Sequence, residues 1–211
     1  MLKIERQAPS KKLLIIRIFA FLLFLAGLYG IFVILYPYFK LTSVNPNDNP
    51  TIQILKKEEP KITENRLYIP KIDINVPYNS GTEEVMEHGA WWRKPENGNP
   101  ADGGNFVLSA HRFVMGLTPQ RTLNKSPFYN IGKLNEGDQI VVDYEGKRYV
   151  YNIDKKYTTK PTDVDIENRT EKPQLTLYSC TFGGADDGRD VFIASLVGSG
   201  DNIKTKDELK K

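Results

Sequence analysis

The sequence predicts an all-β domain, a barrel or sandwich with short helical decorations, carried behind one N-terminal transmembrane helix. Three observations predict it. An uninterrupted apolar run lies near the N-terminus, and short β-branched or aromatic runs bounded by Gly, Pro, Asn and Asp follow residue 65. Between those runs there are too few helical stretches to build a doubly wound sheet. A length of 211 residues holds one sizeable folded unit and not two full catalytic domains. A single Cys excludes an internal disulfide framework and a Cys-rich zinc site, and only two His, at 88 and 111, further thin out any metal hypothesis.

The elements follow in chain order. Residues 1–17 read as a cytoplasmic N-terminus and residues 18–39 as the transmembrane helix. Ile18 to Phe39 is 22 residues without a charge, and at about 1.5 Å per residue it covers about 33 Å, enough for a hydrocarbon core of about 30 Å. A cleaved signal peptide has a shorter apolar region and a small-x-small cleavage site, neither of which fits a run ending in YPYFKLTS. The first forty residues carry six Lys or Arg against Glu5 alone, which leaves 23 Lys or Arg against 25 Asp or Glu in the rest. This asymmetry orients the N-terminus to the cytoplasm and the body outside. A slightly acidic body without a basic stripe gives no electrostatic reason to expect nucleic acid.

Residues 40–65 mix Pro, Asn and charge and read as a stalk. The folded domain is expected over 66–198, with strands in RLYIPKI, NVPYN, NFVLSAHR, DQIVVDY, KRYVYNIDKKY, QLTLYSC and DVFIASLV. Tyr144-Glu145-Gly146-Lys147 joins two of them as a hairpin. Residues 82–88 and 127–134 read as short helices or turns, and residues 199–211 as a polar tail.

Three residues stand out for chemistry. Cys180 ends an apolar strand where it opens into the Gly-rich loop TFGGADDG, and strand ends feeding loops are where a rigid scaffold presents reactive groups. Taken by itself, a lone thiol reads first as an inert buried residue, with an intermolecular disulfide or a nucleophile as the alternatives. His111 also ends a strand, and a thiolate with an imidazolium that protonates the departing amine is a sufficient pair for acyl transfer. Arg189 lies nine residues beyond Cys180. If the flanking strands are antiparallel neighbours, it returns beside the thiol, where a fixed cation stabilises an oxyanion and favours the thiolate. The bland alternatives are a solvated His111, an edge-strand Arg189 and, beside His111, an Arg112 that is merely a surface charge.

Together these residues resemble the sortases, the membrane-anchored cysteine transpeptidases of bacterial surfaces. Thr176-Leu177-Tyr178-Ser179-Cys180, Arg189 and the strand-terminal His111 are similar to the family's TLxTC, Arg and His signature. Leu67 to Ile72, Asn105 to Arg112, and Phe128, Ile131, Leu134, Gly137, Asp138 and Ile140 are similar to three further family segments. Ser179 stands where the family usually has Thr, and keeps the hydroxyl. The resemblance covers about residues 66–198. It implies a closed β-barrel, with His111, Cys180 and Arg189 as catalytic residues cleaving an LPxTG-like signal after Thr. The acceptor it implies is an amine of a cell-wall precursor or a pilin-like protein, and the clients are secreted proteins carrying a C-terminal sorting signal, at the membrane of a Gram-positive-type envelope. The N-terminal anchor fits class A, D or E types rather than the pilin-polymerising one.

No cofactor is expected. Asp163, Asp165 and Glu167 alternate in a way that could offer oxygens to Ca²⁺, but no DxDxDG loop is present and a solvated acidic loop is the favoured reading. His88 reads as surface; of Trp91 and Trp92, one reads as core and the other as lining a groove. A hydrolase of the same architecture and a tethered binding module with a structural Cys remain alternatives. An L,D-transpeptidase does not, because its S-x-G-C-x-R block does not match LYSCTFGG.

Overall fold

The computed structural model describes residues 11–43, 45, 50–55 and 62–199; the expected N-terminal segment before Lys11 and the tail beyond Ser199 lie outside the described residues. Nine strands form the domain: β1 (Arg66–Ile69), β2 (Ile74–Asn79), β3 (Ala90–Arg93), β4 (Gly98–Asn99), β5 (Gly103–Ser109), β6 (Gln139–Tyr144), β7 (Lys147–Thr159), β8 (Gln174–Thr181) and β9 (Gly184–Ser199). They lie in the order β3-β2-β1-β6-β7-β9-β8-β5, and β3 pairs with β5 to close eight strands into a barrel, with β4 added on β5. Closure satisfies the edges that an open sheet would leave bare. Pairing is parallel between β2 and β3 and between β5 and β8, and antiparallel elsewhere.

Period-two alternation fills the barrel. Leu67 and Ile69, Phe106 and Leu108, Ile140 and Val142, Leu175 and Leu177, and Phe192 and Ala194 all point into one core. Trp92 packs edge-on against Tyr78, Phe106 and Tyr144 within it, whereas Trp91 lies outside, donating to the Gly81 carbonyl and stacking with Arg93. The expected hairpin forms with Tyr144 opposite Lys147. Glu145 and Gly146 take φ of 47° and 78°, the left-handed pair a two-residue turn needs to match strand twist.

Helices decorate the barrel. α1 (Lys11–Thr42) is long and apolar enough to cross a membrane, and extends beyond both ends of the expected 18–39 span. Its last turns rest on the domain: Val33 and Pro37 are buried, and Asn130 Nδ2 donates to the Pro37 carbonyl at 3.0 Å. Within the expected stalk, α2 (Pro50–Leu55) also docks, because Asp73, held in the left-handed region at φ 52°, accepts the Thr51 hydroxyl at 2.9 Å. α3 (Pro119–Lys125), capped by Thr118 with Pro119 at its first turn, was not expected.

Candidate active site

The parity that fills the barrel also sorts the candidate residues. On β5, Phe106 and Leu108 face inward, so Val107 and Ser109 face outward; on β8, Leu175 and Leu177 face inward and Tyr178 outward; on β9, Phe192 and Ala194 face inward and Val191 outward. Continuing each alternation places His111, Cys180 and Arg189 on the same outer face of three adjacent strands. The register puts them in one row. Cys180 is the direct antiparallel partner of Arg189, and the parallel β5–β8 pairing, which sets Ser109 against Tyr178, carries His111 to the level of Cys180 two residues later.

Ser179 explains how the two strand ends stay together after the β5 ladder stops. Its side chain is fully buried, and its Oγ donates to the Ala110 carbonyl at 2.9 Å. One hydroxyl therefore clamps the residue before Cys180 to the residue before His111. A β-bulge follows: Cys180 pairs with Arg189, yet Thr181 pairs with Gly184, so Ala185 to Gly188 are looped out. The expected loop of about eight residues is thus a tight hairpin tip plus a bulge, and bulges re-aim side chains at sites. The Arg189 guanidinium donates to the Ala185 carbonyl at 2.8 Å and the Gly188 carbonyl at 3.0 Å. This bulge fixes the cation on the face it shares with Cys180, which is a free thiol of intermediate exposure.

His111 is partly buried, and that burial pulls its imidazole below the ordinary histidine range, with Glu87 and Glu83 pulling the other way. Glu87 reaches from the 3-10 turn Glu83–Glu87, its Oε1 3.9 Å from His111 Nε2, and it also pairs with Lys125. Sequence reasoning missed Glu87; a carboxylate on an exposed turn carries no local signal. His88, next to it, is exposed.

Arg112 departs from the expected surface charge: it is 8% exposed. Its guanidinium lies 4.2 Å from the Phe182 ring centroid and its Nη1 3.4 Å from Asp190 Oδ2, while its Nε and Nη1 make no hydrogen bond. It departs because His111 and Arg112 alternate at the strand end, so with the imidazole on the outer face the guanidinium falls on the inner one. The acidic loop is also not simply solvated. Glu167 is buried and accepts from Arg93 Nε at 2.7 Å and Nη2 at 3.2 Å, and from the Tyr178 hydroxyl, which engages both its carboxylate oxygens. Asp163 and Asp165 accept from Thr159 and Asn168. Among the described residues, no three His, Cys, Asp or Glu side chains gather as metal ligands.

A thiol, an imidazole and a guanidinium in one row are the kinds of group that acyl transfer uses. Comparison with known proteins bears on the family. The sortase-domain family model matches residues 67–197. Sortase SrtE1 of Streptomyces coelicolor is 31% identical over 131 residues, which is 54% of this chain and only 35% of that protein's length. Sortase E of Streptomyces avermitilis superposes with a TM-score of 0.54 at 26% identity, over 67% of this chain and 93% of that one. Sortase A of Listeria monocytogenes, at 22% identity, shares the fold with a TM-score of 0.56 over 69% and 93% of the two chains. On the extent of the family match and the closed barrel beneath it, the chain belongs to the sortase family.

Proposed function

We propose that the chain is a cysteine transpeptidase in which Cys180, His111 and Arg189 carry the reaction. The observation behind this reading is the shared row: strand parity and register bring the three residues to one face, with the Ser179 clamp between two of them. The Cys180 thiolate attacks the carbonyl of the Thr in an LPxTG-like signal. The C–N bond to the following Gly breaks, and the His111 imidazolium gives its proton to the departing amine, leaving a thioester on Cys180. An acceptor amine then attacks the thioester, neutral His111 takes its proton, and the thiolate leaves. Arg189 faces the oxyanion or the substrate backbone in both steps.

The substrates in this proposal are secreted proteins with a C-terminal sorting signal, and the acceptor is an amine of a cell-wall precursor or a pilin-like protein. α1 serves as a single-pass anchor with its N-terminus in the cytoplasm, as the Lys and Arg before it favour. The same thioester could be taken by water, so the test must separate transfer from hydrolysis. Incubation with a library of LPxTG-like peptides, with and without an added amine, should yield amide product only when amine is present, with slower cleavage in its absence. Cleavage at a rate indifferent to amine, with no amide formed, would make the protein a hydrolase. No covalent adduct at Cys180 would leave only a binding module.

A further inference from the structure

The connection after β5 holds an apolar edge that the proposed chemistry does not use. Phe113, Met115 and Leu117 are 37%, 56% and 80% exposed, alternating along the six residues that follow His111. This edge touches α1, because the Tyr29 hydroxyl donates to the Leu117 carbonyl at 3.1 Å. Phe182, 61% exposed, joins the same edge, because Tyr129 packs edge-on against both Phe113 and Phe182 and its hydroxyl donates to the Ile34 carbonyl of α1; Val164 and Val197 are comparably exposed but lie elsewhere on the barrel.

The position of that contact along α1 sets its depth. From Lys12 to Tyr29 is 17 residues, about 26 Å of helix, which is short of a hydrocarbon core of about 30 Å, and any tilt shortens it further. If Arg17 rather than Lys12 marks the inner boundary, the distance is about 18 Å and Leu117 lies deeper. Beyond Tyr29 the side of α1 turned away from the domain stays apolar and exposed, with Ile31, Phe32, Leu35 and Phe39, a band that is not expected to face water.

Part of the loop backbone is already turned to partners within the protein. An irregular segment enters lipid only if its own N–H and C=O groups are satisfied from within the protein. The Val114 N–H donates to Ser126 Oγ at 2.9 Å, and that hydroxyl reaches back to the Val114 carbonyl. The Gly116 N–H donates to Thr122 Oγ1 at 2.9 Å, and the Leu117 carbonyl is taken by Tyr29. Thr122 and Ser126 are themselves buried. Polar groups turn inward at 114 and 116, and side chains turn outward at 113, 115 and 117.

We propose that the loop Phe113–Leu117 inserts into the outer leaflet beside α1, so that the barrel face bearing His111 lies at the lipid surface. The occupant of this apolar edge is the bilayer itself. The inference rests on α1 being a membrane anchor, and not on Cys180 chemistry. It is tested with the full chain carrying Cys180→Ala, reconstituted in vesicles of phosphatidylcholine and phosphatidylglycerol, with single cysteines introduced as Phe24→Cys, Met115→Cys, Leu117→Cys or Val164→Cys and labelled with an environment-sensitive fluorophore. Spin-labelled lipid should quench the labels at 24, 115 and 117 at least twofold and leave the label at 164 unchanged, while aqueous iodide should do the reverse. Labels at 115 and 117 that respond like the one at 164 would overturn the proposal. So would labels shielded from both quenchers, which would mean that a second copy or another protein covers the loop. A label at 24 untouched by lipid would show that the anchor reading had failed, and the insertion with it.

Discussion

The two ends of the β8–β9 ladder differ in how completely they are satisfied. From Gln174 to Tyr178 the register runs unbroken, and buried Asn105 beside it is engaged at both ends of its amide, donating to the Ile166 and Asn168 carbonyls and accepting the Thr176 hydroxyl at 2.7 Å. From Cys180 onward the ladder bulges, Arg189 is held by loop carbonyls, and Arg112 sits buried with two nitrogens unbonded. One end is built for stability and the other keeps polar groups in reserve. Buried unpaired donors are costly; two of the three among the described residues belong to Arg112, at the end where chemistry is proposed, and the third is Trp92 Nε1 in the barrel core.

Breaking the open end should cost activity and not stability. Cys180→Ala and His111→Ala should each lower the transfer rate by about a thousandfold or more, measured as amide product formed, with thermal midpoints close to wild type. Arg189→Lys should lower it by about a hundredfold, because a point charge replaces a planar fork aimed at the oxyanion. Near-normal turnover in Arg189→Lys would remove the clamp role.

Breaking the closed end should do the opposite. Asn105→Ala strands the Thr176 hydroxyl and two loop carbonyls and should destabilise the domain by about 3 kcal/mol, read by denaturant unfolding. Activity per folded molecule should survive, and a collapse in kcat without loss of stability would show that the two ends are not separable.

The smallest effect concerns Glu87. Its carboxylate favours the His111 imidazolium, so Glu87→Gln should move the His111 midpoint to lower pH in an NMR titration. Since the imidazolium is the proposed proton donor, the alkaline limb of the acylation rate should move the same way. A shift to higher pH would contradict the contact.

Much of the fold was legible because strand alternation and turn residues are local. Leu175 to Cys180 showed its parity, and Glu145-Gly146 showed its hairpin. The Cys180–Arg189 pairing also followed from an antiparallel return across a short loop. The level of His111 was legible only through resemblance, since a parallel pairing across sixty-nine residues has no local marker. β3 was not among the expected strands, because Ala90–Arg93 is only four residues long. α3 was missed although Thr118 and Pro119 form a recognisable cap, because PQRTLNK is too short to show a period. Arg112 was misread because burial of a guanidinium depends on Phe182 and Asp190, which lie at least seventy residues further along the chain.

The central claim is that Cys180 forms the thioester in a cleft it shares with His111 and Arg189. Intact-protein mass spectrometry of the full chain after brief exposure to an LPxTG-like peptide, followed by peptide mapping, tests it most directly. The expected result is a single acyl adduct on the peptide containing Cys180, discharged by added amine. Cleavage of the substrate peptide by Cys180→Ala at the wild-type rate, or an adduct mapped to any other residue, would contradict it.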